Sequence, residues 1–382
     1  MRVHPGLEIL LENEMFRKRN IGLITNHTGI NYDLECNFHL MLQAGYKISA
    51  LFSPEHGIYG DHPDGQYVDS SSDNPTGIPI FSLYGATQKP TKKMLKNVDL
   101  LLFDIQDIGA RYYTYMSTMI LSMEAASKHG IQFAVLDRPN PIGGSEVEGN
   151  IPDLSWISPI CYAPISIRHG MTAGEISLFM ASEKNLDTPT VIKMEGWSRH
   201  MRFDETGFPW VPTSPSAPNL DMATLYPGTC LLEGTNVSEG RGTSTPFQVL
   251  GAPWINATKL ARSVNALRMP GIKVRPVYFR PSFNKWAGNI CQGIQIHIFD
   301  PKEIRPVETG VRILFVLRDQ YPEHFEITSP GPNNRRFLDL LCGGPSLSNA
   351  LEKDSSADDI LHDWSKQTRF FASKREQFLI YD

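Results

Sequence analysis

At 382 residues the chain is too long for one typical domain, and two are expected. Its 41% hydrophobic and 20% charged residues describe a globular chain with ample core material, which excludes a disordered one. A net charge of −5 without a long basic run argues against nucleic-acid binding through phosphates, and no apolar run approaches the length of a membrane span.

The first residues, Pro5–Phe16, have helical spacing, with Leu7, Leu10, Leu11 and Met15 on one side. A short strand over Ile21–Thr25 follows, and then a helix over Leu34–Ala44. The next strand runs from Ile48 and stops abruptly at Ser53-Pro54, delivering Glu55, His56 and Gly57 to its C-terminal end. In an open α/β sheet that rim is where ligands bind. Asp61–Thr76 is rich in Gly, Asp and Ser and is expected to be a mobile loop. Ile78–Leu83 reads as a short strand and Thr91–Asn97 as a short helix.

Two further segments repeat the pattern of an aliphatic run ending in carboxylates and turn residues. These are Val98–Gly109 (VDLLLFDIQDIG) and Phe133–Pro141 (FAVLDRPNP), separated by a helix over Thr114–His129. The alternation predicts an α/β fold, a mostly parallel sheet with helices on its faces. Whether the three rims converge on one substrate is a question of tertiary structure.

Beyond Pro141 a helix over Thr172–Lys184 is signalled by the capping box of Thr172 and Glu175, and a strand by Val191–Met194. Phe208–Thr229 is proline-rich and expected to be an ordered loop. Leu231–Thr245 mixes Gly, Ser and Thr with Glu233, Glu239 and Arg241, a composition unlike that of an inert linker. From Ala252 the pattern changes to a helix (Ala257–Leu267), two strands (Ile272–Phe279 and Gly293–Phe299) and helices near Thr309–Asp319, Phe337–Leu341 and Ala357–Leu379. This predicts an α/β domain over 1–250 and a smaller α+β domain over 251–382.

Glu55 is the first candidate for a general acid, since a carboxyl partly withdrawn from water is suited to protonating a leaving group. The bland alternative is a turn-capping Glu, with His56 bound to a loop carbonyl. Asp104 and Asp107, followed by Arg111 and Tyr113, suit a carbohydrate site, although a structural ion pair with Arg111 explains them as well. Asp137 and Asn140 lie on a rim stiffened by two prolines. Arg168 and His169 precede the capped helix, whose N-terminus favours anions. Glu233, Asn236, Glu239 and Arg241 form the densest polar cluster, among glycines that permit close backbone approach. Glu175 is assigned to its cap. Five scattered cysteines, never in CxxC spacing, are expected as free thiols, and neither metal nor cofactor is expected. The absence of GxGxxG, Walker, HExxH and GxSxG motifs leaves carboxylate-driven hydrolysis as the surviving chemistry.

The segments NHTGI, LFSPEHGIYG, SLYGATQKPT, FDIQDIGARYYTY, LDRPNPIGG, IRHGMTAGE, YPGTCLLEGTNVSEGRGTSTPF and GAPW occur in this order. Together with RPVYFRPSFNKWAGNICQGIQIHIFD and the closing REQFLIY, the series resembles the NamZ-like exo-β-N-acetylmuramidase family of bacterial glycoside hydrolases. The resemblance implies removal of terminal non-reducing β-1,4-linked N-acetylmuramic acid (MurNAc) from peptidoglycan fragments or muropeptides. It also implies a Rossmann-like domain with a smaller C-terminal one, and Glu55 as the catalytic acid/base. Asp104, Asp107, Glu233 and Glu239 are the candidates for a second catalytic carboxylate; Arg111, Arg168 and Arg241 are those for binding the lactyl carboxylate. A β-N-acetylglucosaminidase and a non-catalytic muropeptide-binding protein are the competing readings. Family likeness implies a periplasmic or secreted protein; MRVHPGLEILLENE lacks a leader's layout, so a cytoplasmic one is expected if the chain is complete.

Overall fold

The computed structural model describes residues 2–73 and 75–382, so Asn74 of the expected polar loop lies outside the described residues. Its centre is a seven-stranded sheet. Strands β1 (Asn20–Thr25), β2 (Lys47–Ser53), β5 (Leu100–Asp104) and β6 (Gln132–Leu136) are short aliphatic runs buried along almost their whole length. Such runs belong in a parallel sheet covered on both faces. With β3 (Ser71–Ser72), β4 (Pro79–Ser82) and β7 (Thr190–Ile192) the spatial order is β3-β4-β2-β1-β5-β6-β7. All neighbours are parallel except β3 and β4. The register sets Leu23 of β1 between Leu51 and Leu102.

Helices α1 (Gly6–Asn13) and α2 (Asn37–Gln43) bury Leu7, Leu10, Phe38 and Met41 on one face, against Leu23, Leu51 and Leu102. On the other face, α3 (Thr114–Lys128) and α4 (Ala173–Lys184) bring Met116, Met119, Ile120, Ile176 and Phe179 onto Phe52, Leu101 and Phe103. Each such side chain contributes roughly 1.5–3 kcal/mol on burial. The capping box of Thr172 and Glu175 is present as expected.

Phe208–Thr229, expected as a loop, ends in helix α5 (Leu220–Thr229). Asn219 caps it by accepting from the Met222 amide at 2.9 Å, and Pro227 falls only in its last turn. Thr91–Asn97 forms turns rather than a helix.

The second unit is an antiparallel sheet of β8 (Val249–Ala252), β9 (Ile272–Phe279) and β10 (Cys291–Ile298), with β10 in the middle. Helix α6 (Ala257–Ala266) packs on β9 and β10, and α7 (Pro306–Gln320) packs beside α6 and α5. Where α5 meets α7, a Cβ on Gly228 would stand 1.7 Å from the Pro306 carbonyl oxygen, so only glycine allows that approach. Two short helices, α8 (Phe337–Cys342) and α9 (Ser346–Glu352), lead to α10 (Ala357–Arg375), which returns to the first unit and stacks Phe371 edge-on to Phe179. One continuous apolar core joins both sheets. No helix among the described residues is long and apolar enough to cross a membrane.

Candidate active site

Glu55 sits two residues beyond β2, at its C-terminal end, and lines a cavity of about 290 Å³. Its side chain is held at both oxygens. The Gly65 amide donates to Oε1 at 3.0 Å and the Thr114 hydroxyl to Oε2 at 2.7 Å. Thr114 opens α3, so the carboxyl group also faces the positive end of that helix. Tyr84, just past β4, lines the same cavity. Burial first, and then the Glu55 charge, push its phenol well above the ordinary tyrosine range, so it keeps its proton.

His56 is buried and has φ +70°, a conformation that side chains other than glycine seldom adopt. Its Nδ1 lies 2.9 Å from the His62 carbonyl and its Nε2 3.6 Å from Asp64. Strain of this kind gathers at functional sites.

The opposite wall comes from the Gly-rich cluster and the proline-rich segment before α5. Arg241 donates through Nε to Glu233 at 2.7 Å and through Nη1 to Ser216 at 2.8 Å and to Asp64. Its guanidinium also lies 4.9 Å from the centre of the Phe247 ring. Burial works against that charge, but Glu233 and Asp64 outweigh it and hold the Arg241 pKa above the ordinary value. Burial pushes Glu233 up despite Arg241, with nearby Glu239 adding to the rise. Tyr112, Tyr113 and Tyr226 complete the lining as an edge-to-face aromatic cluster, a surface that suits the apolar face of a sugar ring.

Of the residues singled out from the sequence, the cavity gathers Glu55, His56, Tyr113, Glu233 and Arg241. The others lie elsewhere, each with an internal partner. Asp104, fully buried, accepts from Arg138 at 2.5 Å and from Asn37 at 2.7 Å. Asp107 turns back to the Gly109 amide at 2.8 Å and faces His169 at 3.3 Å, with both residues buried below the rim. Arg111 pairs with neither aspartate; it donates to the carbonyls of Asn150, Ile165, Leu341 and Cys342. Asp137 accepts from Thr172, Gly174 and Tyr381, and Asn140 spans Met171 and Ile142. Arg168 is paired with Glu148 at 2.9 Å, and Glu239 with Lys285 at 2.9 Å. Asn236 bridges to His324 and Glu326. Thus only the β2 rim brings its carboxylate to the cavity. The β5 segment contributes Tyr112–Thr114, and the β6 rim is absorbed into the core.

Sequence reasoning missed Tyr84, Thr114, Asp64 and Ser216. Tyr84 was within reach, because it too follows a strand end. Asp64 lay in a stretch expected to be a mobile loop, and Ser216 in one expected to be only a wrapped connection.

Family models describing the exo-β-N-acetylmuramidase NamZ match this chain over residues 21–221 for the N-terminal part and 224–381 for the C-terminal part. The chain is 42% identical over 384 residues to the peptidoglycan β-N-acetylmuramidase NamZ of Bacillus subtilis (strain 168), covering 100% of this chain and 92% of that protein. Crystal structures of two DUF1343 family proteins from Bacteroides fragilis NCTC 9343 share the fold. One has a TM-score of 0.92 at 35% identity and the other 0.77 at 29%, each covering 100% of this chain and 99% of its own. By sequence over its full length and by fold, the chain belongs to the NamZ family of exo-β-N-acetylmuramidases.

Proposed function

We propose that this glycoside hydrolase removes terminal β-1,4-linked MurNAc from the non-reducing end of peptidoglycan fragments, with Glu55 as general acid/base. The observation that carries the reading is the placement of Glu55, fixed at both oxygens, in a cavity with Arg241 opposite. At about 290 Å³ the cavity is at the small end of ligand pockets, roughly 300–1,000 Å³, and suits one terminal sugar rather than a long glycan.

In the proposed reaction Glu55 gives its proton to the glycosidic oxygen as the bond from that oxygen to the sugar C1 breaks. Water then adds at C1 and returns a proton to Glu55. Thr114 serves both protonation states, because a hydroxyl donates to the carboxylate and accepts from the acid. Of the carboxylates expected for the second role, Glu233 alone lines the cavity with Glu55, and we assign it that role.

A hexosaminidase acting on N-acetylglucosamine (GlcNAc) has one observation in its favour. Arg241, the cation that would receive a lactyl carboxylate, is already engaged by Glu233 and Asp64. The two readings separate on β-MurNAc and β-GlcNAc glycosides and the matching disaccharides, given to wild type and Glu55→Gln. Hydrolysis of the MurNAc substrates, lost with natural disaccharide in Glu55→Gln, is expected. Cleavage of only the GlcNAc substrates would overturn the muramidase assignment.

A further inference from the structure

The cavity's two cationic-capable side chains both point at one carboxylate of the chain itself. Asp64 accepts from Arg241 Nη1, lies 3.6 Å from His56 Nε2 and receives Ser216 Oγ at 3.4 Å. Glu233 is bound to the same guanidinium at Nε. These contacts differ in kind. The Glu233 side chain is 16% exposed and belongs to a buried turn, whereas that of Asp64 is 35% exposed and sits on a solvent-facing loop. Gly60 and Gly65 flank it with φ +72° at each, a backbone conformation that glycine adopts without strain.

We infer that Asp64 occupies the carboxylate-binding subsite as an internal stand-in, which a carboxylate-bearing sugar displaces and an uncharged one does not. The inference rests on the muramidase reading and adds to it the residue that sets specificity. Glu239 also lies 3.7 Å from Arg241 Nε, so a lactyl group arriving while Asp64 remains would be a fourth carboxylate around one guanidinium, and like charges at such distances repel. The lactyl group carries the required anion and offers the fork geometry that guanidinium favours. A GlcNAc unit has nothing to exchange for Asp64 and must leave the loop in place. Asp64 is bonded in sequence to Gly65, whose amide holds Glu55 Oε1, so displacing the loop also alters the hydrogen bonding of the acid.

The test is calorimetric binding of MurNAc-β-1,4-GlcNAc and of β-1,4-linked di-GlcNAc to Glu55→Gln protein, with and without Asp64→Asn. Asp64→Asn is expected to tighten MurNAc-GlcNAc by about tenfold, or 1.4 kcal/mol, and to leave di-GlcNAc unchanged. Adding Arg241→Gln should abolish the gain. Hydrogen exchange supplies a second readout in the single Glu55→Gln protein. MurNAc-GlcNAc should deprotect the Gly65 amide and residues 61–69, and di-GlcNAc should not. Unchanged or weakened MurNAc-GlcNAc affinity in Asp64→Asn, or added protection of the loop, overturns the stand-in role alone. Failure of MurNAc-GlcNAc to bind either protein overturns the muramidase reading and this inference with it.

Discussion

The Thr114 hydroxyl lies 2.7 Å from Glu55 Oε2, joining the first residue of α3 to the rim of β2 across 59 positions of sequence. The contact fixes the carboxyl group in direction without neutralising it. Thr114→Val keeps the shape and removes the hydrogen bond. A hydrogen bond to a charged group contributes about 1.5–3 kcal/mol, so turnover of natural disaccharide should fall by roughly 10–100-fold. Thermal stability should change little and KM should stay near that of wild type, which steady-state kinetics on purified protein would check.

Asp104 supplies the opposite case. It resembles a site residue in sequence, yet it is a buried partner of Arg138. Breaking a buried pair by removing one charge costs about 3–5 kcal/mol. Asp104→Asn should therefore lower the urea midpoint clearly while the folded fraction retains its turnover number. A large loss of kcat with unchanged stability would return Asp104 to the chemistry.

Arg111 is 1% exposed and donates to the carbonyls of Asn150, Ile165, Leu341 and Cys342. It thereby ties the segment carrying Tyr112 and Tyr113 to α8, whose Leu341 also lines the cavity. Arg111→Met leaves several buried acceptors unpaired, each worth about 1–3 kcal/mol. Equilibrium unfolding should show a loss of more than 3 kcal/mol, and Arg111→Lys should recover only part of it because an ammonium lacks the planar fork.

Asp137 gives a pH dependence of stability. Burial raises its carboxyl to about 6, although Tyr381, Gly174 and Thr172 all donate to it and pull the other way. The folded state thus holds a proton that the unfolded state releases near 3.8. Its contribution is fully present below the unfolded value and is lost as pH rises through about 6, at most about 3 kcal/mol in all. Tyr381→Phe removes one donor and should move the loss to higher pH. Unfolding free energies at pH 4, 5, 6 and 7 for wild type, Tyr381→Phe and Asp137→Asn would measure it, with Asp137→Asn flat in this window.

The strand-and-helix alternation and the position of Glu55 were legible because they are local. Aliphatic runs that stop at turn residues specify buried parallel strands, and a strand end is a strand end whatever packs beside it. The capping box of Thr172 and Glu175 was legible for the same reason. Helix α5 was not, since its prolines dominate the composition while one cap at Asn219 decides the conformation. Nor could the chain alone tell a catalytic carboxylate from a structural one. Asp104 and Glu55 follow equivalent runs, but Arg138, 34 residues on, neutralises the first, while the second meets a hydroxyl and an amide at the edge of a cavity. The same holds for Asp64 and Arg241, 177 positions apart and in direct contact. The sequence by itself determined the sheet and the strand end that presents Glu55, because hydrophobic periodicity acts over a few residues. Only the tertiary structure decided which charges face that acid, because the pairing of buried charges depends on where distant segments are brought together in space.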